Sequence, residues 1–273
     1  MILTYYGTGA AEAIPALYCS CTICENARKE GGREIRSRHL TTVDRDIQFD
    51  LSPDFFYHIT SLGMEPRAIK HLVVTHAHGD HFAPDPLNLR RSPFALTEVA
   101  PLNLICNETV ARQAEAAMEK GFSGSGVNLT IIRPYAPMAL DGETTLTALP
   151  AHHAPEAGGG YIYLLSRKGK QLLYAHDTGI FTDDVFDFLA GRMLDAVSLD
   201  CTGAYKGAGE HHMHIPGCEK VAGRLMESGA LKKDATVILS HFSHGGGATQ
   251  ADMEKEAQLR GWISAFDGMV VEI

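Results

Sequence analysis

The chain has 273 residues, of which 45% are hydrophobic and 21% are charged, a composition typical of a globular protein. Its formal charge of −9 argues against nucleic acid as a partner, because sequence-independent binding depends on phosphate neutralisation by Lys and Arg. No apolar stretch approaches the roughly 18 residues of a membrane span, and the first residues lack the regions of a signal peptide. We therefore expect a cytoplasmic protein without a membrane partner.

Predicted strands and helices alternate along the chain. The predicted strands cover residues 1–7, 46–52, 69–76, 144–153, 161–177 (a hairpin turning near Lys168-Gly169), 195–201, 235–241 and 268–273. The predicted helices cover residues 24–32, 53–63, 107–121 and 216–229, with Pro or Asn at three of their starts and Gly at their ends. Gly7-Thr8-Gly9 is predicted to form a tight turn.

Polar side chains follow four of these strands. The strands at residues 72–75, 145–149, 171–174 and 236–239 each run closely into His or Asp. Strand ends on one edge of a sheet layer can converge, so we expect one site at an edge where two sheets meet, with helices outside.

The strongest motif is Thr75-His76-Ala77-His78-Gly79-Asp80-His81. His76 and His78, two residues apart, can face one metal, and Asp80 and His81 can serve a second. Nitrogen and oxygen donors without cysteine suit Zn, Mn or Fe in an open catalytic site. A solvated histidine-rich loop is the alternative, and the density of the motif after a buried strand argues against it.

A second cluster holds three of the six cysteines, Cys19, Cys21 and Cys24. A secreted disulfide framework would be denser and more regular, so this cluster indicates metal binding, with three reduced surface thiols as the alternative. A structural zinc needs a fourth ligand to close its tetrahedron.

The His-x-His-x-Asp-His motif resembles the signature of the metallo-β-lactamase fold superfamily, and His153, Asp177 and His241 follow in the order expected there. The resemblance covers essentially the whole chain. It implies an α/β fold, a four-layer αββα sandwich, in a single hydrolase domain over residues 1–273. It further implies His76, His78 and His153 as ligands of one metal, Asp80, His81 and His241 as ligands of another, and Asp177 as the bridging carboxylate.

Within that superfamily the chain is most similar to the phosphodiesterase family of the bacterial carbon–phosphorus lyase pathway. The similarity rests on Gly7-Thr8-Gly9, the cysteine cluster, Leu149-Pro150, Asp177-Thr178, Asp200-Cys201 and the run of residues 239–244. It implies His244 as fourth ligand of a structural zinc, two catalytic divalent metals (Zn or Mn), and a homodimer. It also implies hydrolysis of a small or cyclic phosphodiester by a metal-bridged hydroxide, with Asp80 in the catalytic centre and His212 protonating the leaving alkoxide.

Several residue roles stay open at this point. His152 is the alternative to His153, because neighbours in a strand point to opposite sides. Asp50 is expected to orient a ligand, and His176 to pack beside Asp177 without binding metal. The remaining histidines are expected to lie in a polar loop, on the surface or in the core: His39, His58, His71, His211 and His214.

The function also has alternatives. Another hydrolase of the same fold, such as a thioesterase or lactonase, is disfavoured by the cysteine cluster. A tRNA-processing nuclease would need a basic surface, which the net charge does not favour. A non-catalytic metal-binding protein would not need the complete ligand set. Specificity is expected from the loops at residues 82–99 and 154–160.

Overall fold

A computed structural model describes residues 1–155, 158–207 and 210–273 of the chain. The strands of this part are β1 (Ile2–Gly7), β2 (Leu40–Val43), β3 (Ile47–Phe49), β4 (His71–Val73), β5 (Leu102–Cys106), β6 (Val127–Ile131), β7 (Met138–Ala139), β8 (Thr144–Pro150), β9 (Tyr161–Arg167), β10 (Lys170–Ala175), β11 (Leu194–Asp200), β12 (Leu231–Ser240), β13 (Ile263–Ser264) and β14 (Met269–Glu272). The α-helices are α1 (Thr22–Glu30), α2 (Phe55–Leu62), α3 (Glu108–Ala117), α4 (Asp183–Leu189), α5 (Ile215–Glu227) and α6 (Gln250–Leu259).

The strands of the described residues form two sheets. The first has the order β14-β1-β2-β3-β4-β5-β6, and the second has the order β13-β12-β11-β10-β9-β8-β7. Strands β3 to β6 are parallel in the first sheet, and strands β10 to β13 are parallel in the second. The remaining pairings are antiparallel.

Apolar side chains form three core layers, one between the two sheets and one on the outer face of each sheet. This follows because successive residues of a strand face opposite sides of its sheet. In β10, Leu172 and Tyr174 belong to the cluster between the sheets, whereas Leu173 packs outward against the helices. The outer face of the second sheet packs on α1, α4, α5 and α6, and that of the first sheet packs on α2 and α3. The predicted four-layer αββα sandwich is therefore confirmed.

The helix boundaries follow the local capping chemistry. Helix α2 ends at Gly63, which adopts the left-handed conformation. Helix α3 begins where the side chain of Asn107 accepts a hydrogen bond from the backbone N–H of Val110 at 2.8 Å. It ends at Ala117, earlier than the predicted stop at Gly121. The sequence analysis predicts no helix at α4 or α6.

The Gly7-Thr8-Gly9 segment is a site of close backbone approach, and the prediction of a tight turn is wrong. A Cβ atom on Gly7 would lie 2.0 Å from the carbonyl oxygen of Arg38. Gly9 forms isolated bridges with both Arg38 and Phe242. Because these glycines have no side chain, the chain at the end of β1 can approach the backbone at Arg38 and Phe242, which are next in sequence to His39 and His241.

Strand β14 pairs with β1, so the first and last strands lie in one sheet. This pairing supports one domain over residues 1–273, which stays a prediction. None of the helices in the described ranges is both long and apolar enough to cross a membrane.

Candidate metal centre

The polar strand ends converge at one edge of the two sheets. Strands β4, β8, β10 and β12 deliver, in that order, the histidine-rich motif, His153, Asp177 and His241. Asp177 and His241 have φ angles of 48° and 60°, in the left-handed region that non-glycine residues rarely adopt. Such strained backbone marks positions where the surroundings hold a side chain in a required direction.

The first metal group consists of His76, His78 and His153. One ring nitrogen of each lies within 4.8 Å of the others. His153 Nε2 and His78 Nδ1 are 3.2 Å apart. The neighbouring His152 is exposed, which favours His153 over His152 in this group.

The second metal group consists of Asp80, His81, Asp177 and His241, again with ligand atoms within 4.8 Å of one another. The Nε2 atoms of His81 and His241 are 3.1 Å apart, and Asp80 Oδ2 lies 3.3 Å from His81 Nε2. Asp177 contacts His81 and also lies 3.5 Å from His76 of the first metal group. Its position between the two groups is the one predicted for a bridging carboxylate.

Hydrogen bonds to the outward Nδ1 atoms orient three of the imidazoles. His81 Nδ1 donates to Asp50 Oδ2 at 2.7 Å, as the sequence analysis predicts for Asp50. His241 Nδ1 is 2.8 Å from Thr202 Oγ1, and His153 Nδ1 donates to the carbonyl oxygen of His211 at 3.1 Å. These bonds place the ring proton on Nδ1 and leave Nε2 facing inward, the arrangement of metal-binding histidines.

The residues present fit a pair of cations. His76 Nε2 is buried, and among the described residues it has no hydrogen-bond partner. Burial opposes a charge on His81, yet the carboxylates of Asp177, Asp50 and Asp80 raise its pKa well above the ordinary value. An inward nitrogen without a hydrogen bond and a group of carboxylates around it are both satisfied by divalent cations.

His212 lies at the rim of this centre. Its Nδ1 is 3.0 Å from Asp200 Oδ2 and 3.3 Å from Asp177 Oδ1. Burial disfavours the imidazolium, but the hydrogen bond and charge of Asp200, with the charge of Asp177, raise the pKa of His212 to about 9. Asp177, Asp200, His212 and His241 also form a metal-sized group, so the geometry alone allows His212 to be a ligand as well as an acid.

The cysteine–histidine cluster brings together Cys19, Cys21, Cys24 and His244. His244 Nδ1 lies 3.5 Å from Cys19 Sγ and 3.4 Å from Cys21 Sγ. Burial opposes ionisation, but hydrogen bonds from the backbone of Cys24 and from His244 lower the pKa of Cys21 to about 6. Burial raises the pKa of Cys24 to about 11, so a cation is needed for that thiol to ionise.

Two residues, His39 and Asp200, have contacts here that the sequence analysis missed. His39 is fully buried, and its ring centroid lies 6.0 Å from that of His81 and 5.7 Å from that of His241. His176 packs beside Asp177 as predicted, with its Nδ1 2.8 Å from His39 Nε2 and its Nε2 2.7 Å from Ser198 Oγ. Asp200 is predicted only as part of a motif, and its contact with His212 has no local sequence pattern.

Other predictions have mixed outcomes. His58 and His71 are buried, in agreement with the core alternative for these isolated histidines. His211 is exposed and His214 is half-buried at the start of α5. The specificity loop at residues 154–160 lies partly outside the described residues, at positions 156 and 157.

Comparison with known sequences identifies the family. The sequence model of the Beta-lactamase superfamily domain matches residues 45–242, which include both metal groups. The chain belongs to the β-lactamase superfamily. As a member with the metallo-β-lactamase fold, it is a metal-dependent hydrolase. A comparison with curated protein sequences gives no significant match.

Several solved structures share the fold. The chain is similar to a diphosphatase from the PhnP family, with a TM-score of 0.77, 22% identity, and coverage of 100% of this chain and 97% of that chain. It is also similar to Zn²⁺-bound PqqB from Methylobacterium extorquens, with a TM-score of 0.74, 17% identity and full coverage of both chains. Human tRNase Z, short form, gives a TM-score of 0.67 at 17% identity, covering 100% of this chain and 99% of that chain.

Proposed function

We propose that this superfamily member is a phosphodiesterase that uses two catalytic divalent cations, zinc or manganese, and one structural zinc. The observation that carries the proposal is the contact of His212 with Asp200 beside Asp177. The alkoxide that a phosphodiester releases is a poor leaving group, so its hydrolysis benefits from a positioned general acid. The activated esters of thioesterase and lactonase substrates depend less on such a group.

In this proposal the two catalytic cations belong to the two metal groups described above. His76, His78 and His153 would hold one, Asp80, His81 and His241 the other, and Asp177 both. When bound, the pair supplies Lewis acidity toward the phosphoryl oxygens and acidifies water toward neutral pH. His244 and the three cysteines would hold the structural zinc.

The remaining residues of the centre position atoms and move a proton. Asp200 accepts from Nδ1 of His212, so the Nε2–H of the same ring is available to the leaving oxygen. Protonated His212 donates that proton as the bond between phosphorus and the leaving oxygen breaks. Asp50, Thr202 and the carbonyl oxygen of His211 keep the inner nitrogens in place, so little reorganisation is needed during the reaction.

A tRNA-processing activity is the second candidate, because human tRNase Z shares the fold over the whole chain. The net charge of −9 disfavours it, because tRNA binding calls for basic surface. A small phosphodiester needs no such surface, since the field of bound cations dominates locally.

The test compares bis-p-nitrophenyl phosphate, a thioester, a lactone and a precursor tRNA with the metal-loaded protein. We expect turnover of the phosphodiester that disappears with a chelator and returns with zinc or manganese. Preferred turnover of the thioester or lactone would contradict the proposal. Cleavage of the precursor tRNA with no small-diester activity would replace it by the second candidate.

A further inference from the structure

A cavity of about 580 Å³ opens on the outer face of the first sheet, between α2 and the segment of residues 86–102. We call it the Gln48 pocket. Its buried floor contains Gln48, Leu51, Leu87 and Leu102, and its walls include Phe55 and Arg90. Its volume falls in the range of about 300–1,000 Å³ that is usual for small-molecule sites. Its lining within the described residues contains no member of either metal group, so the pocket is separate from the metal centre.

Gln48 is a polar side chain in this floor. Its neighbours Ile47 and Phe49 face the core between the sheets, so the alternation of β3 turns Gln48 to the outer face, where it is 3% exposed. Its Nε2 donates to the backbone carbonyl oxygen of Asp50 at 2.6 Å, and within the described ranges no recorded hydrogen bond reaches its Oε1. A buried acceptor without a partner is unfavourable. Oε1 is therefore available to a hydrogen-bond donor of a ligand in the pocket.

Arg90 supplies a positive charge without a counter-ion. Its Nε and Nη2 donate to the backbone carbonyl oxygens of Ser125 and Ala100, which leaves Nη1 for a ligand. The side chain is half-buried, and this burial lowers the pKa of Arg90, with no carboxylate of the described residues opposing the shift. The other charged residues of the lining are exposed: Arg67, which is ion-paired, and Glu98. A half-buried cation with a free N–H group favours an anionic ligand.

The floor also contacts the segment that carries a predicted metal ligand. Gln48 bonds to the backbone of Asp50, whose side chain accepts a hydrogen bond from His81 Nδ1 at 2.7 Å. The backbone N–H of Leu51 donates to the carbonyl oxygen of His81 at 2.7 Å. A ligand that shifts Gln48 or Leu51 therefore also shifts His81, a member of the second metal group.

We propose that the Gln48 pocket binds an amphiphilic carboxylic acid with a hydroxyl group at its far end, of which a hydroxylated fatty acid is the simplest form. Its carboxylate accepts a hydrogen bond from Arg90 Nη1, its hydrocarbon chain packs on the apolar lining, and its hydroxyl donates to Gln48 Oε1. A carboxylate suits the single free guanidinium nitrogen, whereas a phosphate would leave more acceptor oxygens unpaired in an apolar pocket.

This ligand is an effector and not a substrate. Through Asp50 and Leu51, its binding changes the affinity of the second metal group for a cation, and the cation changes the affinity for the ligand by the same factor. The inference does not depend on the proposed phosphodiesterase function, because neither the pocket nor its ligand takes part in the reaction.

The first experiment measures binding to the metal-loaded protein by calorimetry. It compares ω-hydroxydecanoic acid with decanoic acid, which lacks the hydroxyl, and with methyl ω-hydroxydecanoate, which lacks the charge. We expect one molecule of ω-hydroxydecanoic acid to bind per chain. The ester should bind about tenfold to a hundredfold more weakly and decanoic acid about twofold to tenfold more weakly, the usual effects of losing a charged and a neutral hydrogen bond. Equal affinity for the acid and its ester, or no binding, would overturn the proposal.

Variants assign the two polar contacts. In Arg90→Met the preference for the acid over its ester should disappear, and Arg90→Lys, which keeps the charge, should retain part of it. In Gln48→Met the preference for ω-hydroxydecanoic acid over decanoic acid should disappear. Arg91→Met is the matched control, because Arg91 also donates to a backbone carbonyl oxygen but does not line the pocket, so both preferences should remain. Unchanged preferences in Arg90→Met and Gln48→Met would reject the site.

The link to the metal centre is tested by repeating the titration of ω-hydroxydecanoic acid after a mild chelator has removed the catalytic metals. We expect the affinity to change by about fivefold or more, the usual size of coupling between two sites. An unchanged affinity would reject the effector role.

A second copy of the chain is the alternative occupant of the pocket, because Phe56 in its lining is 76% exposed. Analytical ultracentrifugation of wild type and Phe56→Ser distinguishes the two occupants. We expect Phe56→Ser to leave the oligomeric state unchanged. If it converts a wild-type dimer into a monomer, and none of the three compounds binds, the pocket is an interface between copies and the proposal is rejected.

Discussion

His212 moves a proton in the proposed mechanism and holds no metal. The variant His212→Ala should therefore keep the catalytic metal content and the thermal stability near those of wild type. Its kcat should fall by about 10²–10⁴, the usual contribution of a general acid. Steady-state kinetics on an unactivated diester and elemental analysis of the same preparation measure the two quantities.

The loss in His212→Ala should shrink for p-nitrophenyl esters, because a good leaving group needs less protonation. The contrary result is loss of catalytic metal in this variant. That result would make His212 a ligand in the group that it forms with Asp177, Asp200 and His241.

Asp177 touches both metal groups, so its removal should affect both ions. In Asp177→Ala we expect no phosphodiesterase turnover. We also expect a catalytic metal content below the value of about two ions per chain of an intact two-metal centre. Far-UV circular dichroism should remain that of the wild type, because the sandwich core does not involve this side chain. Full activity in the variant would remove Asp177 from the centre.

The catalytic residues differ in how far the sequence predicts them. His76, His78, Asp80 and His81 occur in one short motif, and local density alone indicates a metal site. The contacts of His39 and Asp200 arise only when distant segments meet. His39 lies 42 residues before His81 in the chain, and no spacing rule connects the two. Residues that support a site across sheets therefore need the fold.

At the scale of elements, the cysteine–histidine cluster joins the loop before α1 to the segment after β12. In Cys21→Ser we expect a lower melting temperature and a loss of about one zinc per chain, because structural zinc contributes folding free energy directly. Thermal denaturation and elemental analysis check this expectation. Cys106→Ser is the matched control: Cys106 is buried in the core away from the cluster, so this change lowers stability but leaves the zinc content intact.

Asn107 has two structural contacts at the start of α3. Its side-chain oxygen caps the helix, and its Nδ2 donates to the carbonyl oxygen of Gly159 at 3.0 Å. Asn107→Ala should lower the free energy of unfolding by about 1 kcal/mol or somewhat more. Asn107→Asp keeps the capping oxygen and loses the donor, so in urea denaturation it should lie between wild type and Asn107→Ala.

Helices with strong local signals are predicted best. Helices α2, α3 and α5 have Pro or Asn near their starts, and their predicted positions agree with the structure to within a few residues. Helix α4 has only seven residues, and its apolar side chains at Val185, Phe186 and Leu189 acquire a helical environment only against the second sheet. Short helices of this kind depend on tertiary packing more than on propensity.

At the scale of the whole molecule, the two metal groups and the cysteine–histidine cluster predict a stoichiometry. Protein purified without chelator should contain about three metal ions per chain, two of them catalytic. A mild chelator should remove the catalytic pair first, because that centre is open to substrate and the cysteine–histidine cluster is closed. Elemental analysis that finds one ion or none would contradict the ligand assignment.

The αββα architecture is predicted through the family resemblance of the His-x-His-x-Asp-His motif, and the alternation of predicted strands and helices agrees with it. A cavity of about 510 Å³ between the loop of residues 11–19 and the start of α2, lined in part by Arg38 and Asp54, is not predictable from the sequence. Loop conformation decides its volume, and no periodic pattern encodes that conformation.

His241 and His244 belong to different clusters but are only three residues apart, so at most about 11 Å separates their Cα atoms. This proximity makes the cysteine–histidine cluster a natural position for a magnetic probe. Cobalt(II) exchanged into it would broaden and shift the proton resonances of His241 without any label on the active-site face. Changes in those resonances on adding a ligand would report movement inside the catalytic centre from a metal bound outside it.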